Sequence, residues 1–140
     1  MDKSFFVKLN RIRQKDYFSY QREFKCTEFL NPQQIAGYQN QKLTKLITHC
    51  YENVPYYRRV FQDLHLFPND ITSRDDLHKL PILTKEILRK EGDNMFSKNY
   101  RKGKPNITSG STGNMTTIYR NNNSKTIEHA LFDRYLTNIG

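Results

Sequence analysis

The residues best equipped for chemistry stand together in one short run, Thr108-Ser109-Gly110-Ser111-Thr112-Gly113. Gly110 and Gly113 can take positive φ, and neither carries a Cβ that would hold a ligand away from the backbone. Successive N–H groups of such a loop can turn toward one point, with Thr and Ser hydroxyls around them. A nest of this kind suits a phosphate or a pyrophosphate. Ser/Gly composition also builds flexible loops, so the six residues alone leave a plain hairpin turn open as well. No Ser-His-Asp or Cys-His set can be assembled elsewhere, and no catalytic residue and no metal ligand is assigned. His49 stands beside an apolar helical stripe with no nucleophile or metal partner near it in sequence, which reads as a packing or surface histidine.

Several elements must hold that run in place. β-Prone residues lead into it and an alternating Thr116-Thr117-Ile118-Tyr119 pattern follows it, which predicts a strand, a tight polar loop and a second strand. Upstream, Asn31-Pro32 is a helix-entry signal. Leu43, Leu46, Ile47, Cys50 and Tyr51 then recur at helical spacing as one apolar stripe. Val54-Pro55 breaks that helix and opens a shorter one, with Tyr57, Val60, Phe61 and Leu64 as its expected buried side. Phe67-Pro68-Asn69-Asp70 reads as a turn. Ser73 and Asp76 form a capping box for one helical turn before Leu80-Pro81. Thr84 caps a helix over 85–90, with Glu86 in its first turn and Gly92 ending it. Residues 93–104 read as a polar surface loop. Beyond Arg120 three Asn residues predict a turn, and Ser124 is expected to cap a last helix whose Ile127, Leu131 and Tyr135 share a face. The first 30 residues read as an amphipathic helical segment, with Phe5, Leu9 and Ile12 on one side. Such a segment could pack on the fold or lie on an anionic membrane.

Bulk properties narrow the classes. Hydrophobic residues make up 36% of the 140, enough for a core and too many for a disordered tail. The net charge of +9 makes polyanions plausible partners. The basic residues are scattered, however, and give no strong nucleic-acid or membrane signal. Tyr56-Tyr57-Arg58-Arg59 is an aromatic-basic cluster that could stack bases, or could pack its rings and leave its Arg heads in water. Cys26 and Cys50 lack CxxC spacing and read as reduced, partly buried thiols. No apolar run reaches the roughly 18 residues of a membrane-spanning helix, and no signal-peptide pattern opens the chain, so the cytoplasm is the expected compartment.

Known phosphate loops discriminate further. Walker A fails because Asn114 follows Gly113, and the dinucleotide, kinase and nucleophile-elbow patterns are absent. TSGSTG followed by a strand resembles the phosphate-binding loop of adenylate-forming enzymes, the acyl-CoA synthetase superfamily. Three ordered blocks, LTKLITHCYENVPYYRRVF, NDITSRDDLHKLPILTKEILRK and NITSGSTG, are similar to the N-terminal third of the phenylacetate–coenzyme A ligase family, and look closest to its CapK branch, named for capsular polysaccharide biosynthesis. They cover about residues 40 to 120.

The resemblance implies an α/β fold: a mainly helical N-terminal region, then the first strand–phosphate loop–strand of an adenylate-forming N-terminal domain, incomplete. Residues 1–30 would be the helical segment and 31–140 a truncated N-terminal portion of an AMP-binding domain. It implies that Thr108, Ser109, Gly110, Ser111, Thr112 and Gly113 hold the β- and γ-phosphates of ATP. It gives Pro81, Thr84 and Lys85 no chemistry. The implied cofactors are ATP, magnesium and coenzyme A. The implied partners are a carboxylic acid substrate and the remainder of the enzyme, or a second copy of the chain. Many superfamily members place Pro and then Lys after the last loop glycine; this chain has Asn114-Met115-Thr116. The family's adenine-binding segment, magnesium-binding acid, ribose-binding Asp and catalytic Lys would fall beyond Gly140, so the chain is expected to be inactive alone. A small basic module for nucleic acid or an anionic membrane is the alternative.

Overall fold

Asn31 closes the first turn of a 22-residue helix in both directions: its side chain accepts the Gln34 N–H, and the Gln34 side chain accepts the Asn31 N–H, each at 2.9 Å. The computed structural model describes residues 16–100, 103–107 and 117–139. The fold-class expectation is met at its coarser level: the described residues are mostly helical, with one small two-stranded sheet. The helices are α1 (Tyr17–Thr27), α2 (Pro32–Asn53), α3 (Pro55–Asp63), α4 (Lys85–Glu91) and α5 (Asn122–Ile139); the strands are β1 (Lys104–Ile107) and β2 (Thr117–Arg120). Short 3-10 turns occur at Pro68–Asp70, Arg74–Lys79 and Gly92–Met95. Contacts divide the chain into two compact units, Asn31–Arg101 and a second drawn from Met1–Leu30 with Lys102–Gly140. The stretch 31–140 is therefore shared between both units.

The Asn31–Arg101 unit is built on the α2 stripe. Ile47, Phe61 and Ile71 are buried together, with Leu43, Tyr51, Leu66 and Leu80 packed around them. The Tyr51 ring meets Phe61 edge-on at 5.6 Å, a favoured aromatic geometry. Leu46 lies at the stripe's edge and is 57% exposed. On α3 the buried residues are Tyr56 and Phe61, not Leu64, which is exposed. Leu64 falls where α3 ends, and the chain leaves through His65 at φ 53. There the Leu66 N–H donates to the Phe61 carbonyl at 2.9 Å and the His65 N–H to the Gln62 carbonyl at 3.1 Å. This paired pattern ends a helix with one left-handed residue, and it delivers Leu66 to the core in place of Leu64.

Thr84 caps α4 by accepting the Ile87 N–H, and Gly92 ends the helix at φ 50. The predicted loop over 93–104 is more tightly held than its polarity suggested. The Lys98 N–H donates to the Asn53 carbonyl at 2.8 Å, and the Asn99 side chain donates to Asn53 Oδ1 at 2.9 Å. Phe96 and Tyr100 stack with centroids 5.8 Å apart.

In the other unit α1 packs along α5. The Tyr17 hydroxyl donates to Asp133 at 2.7 Å and accepts from Gln21 at 2.8 Å, and the Tyr20 hydroxyl donates to Asn123 at 2.9 Å. Tyr17, Thr126 and Ala130 are buried there. The expected α5 face is thereby corrected: Leu131 and Tyr135 are exposed, because small Thr126 and Ala130 let the partner helix approach closely. Its cap is corrected as well. The Asn121 side chain, not Ser124, accepts the Ser124 N–H at 2.7 Å, so the three-Asn run begins the helix and does not form a turn. Of the N-terminal segment, residues 1–15 lie outside the described residues, including the Phe5, Leu9 and Ile12 face.

Candidate phosphate-binding hairpin

β1 and β2 pair antiparallel, with Lys104 opposite Arg120, Pro105 opposite Tyr119, Asn106 opposite Ile118 and Ile107 opposite Thr117. The strand–loop–strand reading therefore has both its strands. The connection between Ile107 and Thr117 holds the whole Thr108-Ser109-Gly110-Ser111-Thr112-Gly113 run, and those six residues lie outside the described ones. Ile107, Thr117, Ile118 and Tyr119 are exposed. A ribbon of two strands without a covered face is marginal by itself; here Arg120 on β2 pairs with Glu128 on α5 and joins strand to helix. That guanidinium holds the Glu128 carboxyl below the usual carboxylate range.

The pairing also commits Arg120. On the described strands the residues next to the loop, Asn106, Ile107, Thr117 and Ile118, are neutral. No residue from 108 to 116 is charged, so an anion at this loop would rely on backbone N–H groups and hydroxyls. No group of three or more His, Cys, Asp or Glu that could hold a metal occurs among the described residues.

The other candidate residues have structural surroundings. Arg58 Nε donates to the Tyr51 carbonyl at 3.0 Å and another guanidinium nitrogen to the Glu52 carbonyl at 3.1 Å, satisfying the end of α2. The same guanidinium lies 5.6 Å from the Tyr51 ring centre. Arg59 pairs with Glu91 at 2.5 Å, and Tyr56 and Tyr57 meet edge-on at 5.0 Å. The rings are packed, as one of the two readings had it, but neither Arg head is left to water alone.

Cys50 is half-buried, and burial pushes its thiol up. A protonated thiol is a poor nucleophile. Cys26 is exposed, against the expectation that both thiols are partly covered. His49 is exposed; Asn53 Nδ2 lies 3.4 Å from its ring Nδ1 and donates to its carbonyl at 3.2 Å.

Two hubs were not read from the sequence. Asn53 ties α2 to residues 98 and 99 through long-range bonds that no local pattern announces. Asp76 does more than cap. One of its carboxylate oxygens accepts from the Thr72 and Ser73 N–H groups and from both their hydroxyls, at 3.0 to 3.3 Å, and the other takes Lys79 at 2.7 Å. Lys79, the first cause, and these backbone and hydroxyl donors hold the carboxyl well below its ordinary range. Lys79 also donates to the Asp70 carbonyl at 2.8 Å and joins the 3-10 turns at Pro68–Asp70 and Arg74–Lys79. The Ser73–Asp76 capping signal marks this hub's place.

The chain is 41% identical over 56 residues to the phenylacetate–coenzyme A ligase of Escherichia coli (strain K12), a match covering 40% of this chain and 13% of that protein. It is 34% identical over 90 residues to the phenylacetate–coenzyme A ligase of Aromatoleum evansii, covering 61% of this chain and 20% of the relative. A similar likeness, 36% over 55 residues, links it to the Pseudomonas putida enzyme of the same name, with 39% of this chain and 12% of that protein covered. No protein-family model matches the chain. The chain spans a fifth or less of the length of these curated relatives. Over the matched stretches, the likenesses support kinship with the phenylacetate–coenzyme A ligases.

Proposed function

We propose that this chain is the N-terminal portion of an adenylate-forming ligase that activates a carboxylate with ATP. The product would be an acyl-adenylate, whose acyl group passes to coenzyme A or another acceptor. The observation that carries the reading is the repeated likeness to phenylacetate–coenzyme A ligases. The antiparallel hairpin around TSGSTG agrees with it.

In this reading the N–H groups and hydroxyls of residues 108–113 hold the β- and γ-phosphates while pyrophosphate leaves. Fixed dipoles aimed at that charge supply positioning and electrostatic stabilisation. Magnesium would neutralise phosphate charge when bound, and its ligands would come from outside the described residues. The CapK branch, with a role in capsular polysaccharide synthesis, is the finer assignment, carried by the resemblance of the three sequence blocks. Because the matched stretches cover a fifth or less of each relative, the chain is proposed to need the rest of such a ligase and to form no acyl-adenylate by itself.

Calorimetric titration with ATP tests the loop. Wild-type chain is expected to give saturable binding that Ser111→Ala/Thr112→Ala weakens by about tenfold, two hydrogen-bond donors to a charged group being removed. Equal ATP affinity in the variant would overturn the assignment.

A further inference from the structure

Residues of α1 and α5, with Glu28 at the end of α1, border a groove of about 360 Å³. Phe18, Arg22 and Lys25 line it from α1, Glu28 from the residue that follows α1, and Arg134 and Thr137 from α5. The hairpin reading uses none of these residues. Three cations thus face one carboxylate. Arg134 lies 3.6 Å from Glu28, beyond ordinary hydrogen-bond reach. Arg22 and Lys25 have no ion pair among the described residues. Phe18 is 52% exposed, with its ring edge-on to Tyr17 at 5.4 Å.

We propose that this groove binds a small phosphate monoester carried on a flat apolar group, an aryl phosphate in the simplest case. Taking Glu28 against one cation, two positive charges remain, which match a phosphate dianion. Arginine offers such an anion paired N–H donors in one plane, and lysine adds a point charge. The Phe18 ring and the methylene stems of Arg22 and Lys25 supply an apolar bed for the flat group. The Thr137 hydroxyl borders the groove on α5 but already donates to the Asp133 carbonyl at 2.8 Å, so the cationic side chains supply the donors. The volume lies within the range of small-ligand sites.

Phenyl phosphate titrated calorimetrically into the full chain is the test, with inorganic phosphate as the second probe. Saturable phenyl phosphate binding is expected. Arg22→Gln/Lys25→Gln weakens it by about tenfold, the summed effect of two exposed charge contacts. Phe18→Ala weakens phenyl phosphate and leaves inorganic phosphate unchanged. These three side chains are exposed, and far-UV circular dichroism verifies that the variants keep their helices. Ser111→Ala/Thr112→Ala, which removes loop hydroxyls, leaves phenyl phosphate affinity intact. The proposal is overturned by an absence of saturable binding, by unchanged affinity in the Arg22/Lys25 variant, or by a loss that follows the Ser111/Thr112 variant.

Discussion

Arg58 shows how a residue that invites a functional reading can be held by a structural task. Its position in a Tyr-Tyr-Arg-Arg run suggests anion binding, yet it donates to the last carbonyls of α2 and lies against Tyr51. Arg58→Ala should cost about 1–2 kcal/mol in urea unfolding, since carbonyls at the helix end lose a charged donor. Arg58→Lys should restore little, because a point charge cannot satisfy two carbonyls as a planar fork does. Asp76 gives the acid dependence its sign. Its carboxyl is lowered in the folded chain, so its contribution is complete above the unfolded pKa of about 3.9 and is lost as pH falls through the folded value. Asp76→Asn should therefore destabilise at neutral pH and approach wild type as the medium becomes strongly acidic. Parallel urea titrations at several pH values check this; a difference that grows on acidification would contradict it.

At the scale of elements, sequence legibility followed the range of the interactions. Asn31, Thr84, Gly92 and the Val54-Pro55 break could be read because capping and backbone restriction depend on neighbours a few residues away. Leu64 was misplaced because helical spacing gives phase but not where α3 stops. Leu131 and Tyr135 were misplaced for another reason: the buried side of α5 is marked by small Thr126 and Ala130, and apolar periodicity alone points to the larger residues. Asn121 and Ser124 separate the two cap assignments. Asn121→Ala should lower stability by about 1 kcal/mol, and Ser124→Ala by clearly less, in thermal or urea unfolding. His65 is a second local test. Since a left-handed conformation costs a non-glycine residue about 1–2 kcal/mol, His65→Gly is expected to raise stability toward that amount, less the entropy of the freer unfolded chain. An unchanged or lower unfolding midpoint would count against the helix-ending pattern seen at Leu66.

For the whole molecule, the TSGSTG motif was legible in sequence, and the pairing of Ile107 with Thr117 brackets it. The rest of the proposed ligase site could not be read, since adenine, ribose and acid contacts would need residues brought from distant segments. Of the basic-module alternative, Arg58 and Arg59 are engaged by protein groups, while residues 1–15 of its N-terminal helix lie outside the described residues. Duplex DNA is accordingly expected to show no saturable binding at moderate salt; tight binding that falls steeply with salt would revive that alternative. The central claim, that Thr108 to Gly113 receive the phosphates of ATP, is tested most directly by following backbone amide resonances while ATP is added. The Gly110 and Gly113 amides are expected to shift first and saturate together, and pyrophosphate to reproduce the shifts. Saturable ATP binding that moves other amides and leaves these two in place would contradict it.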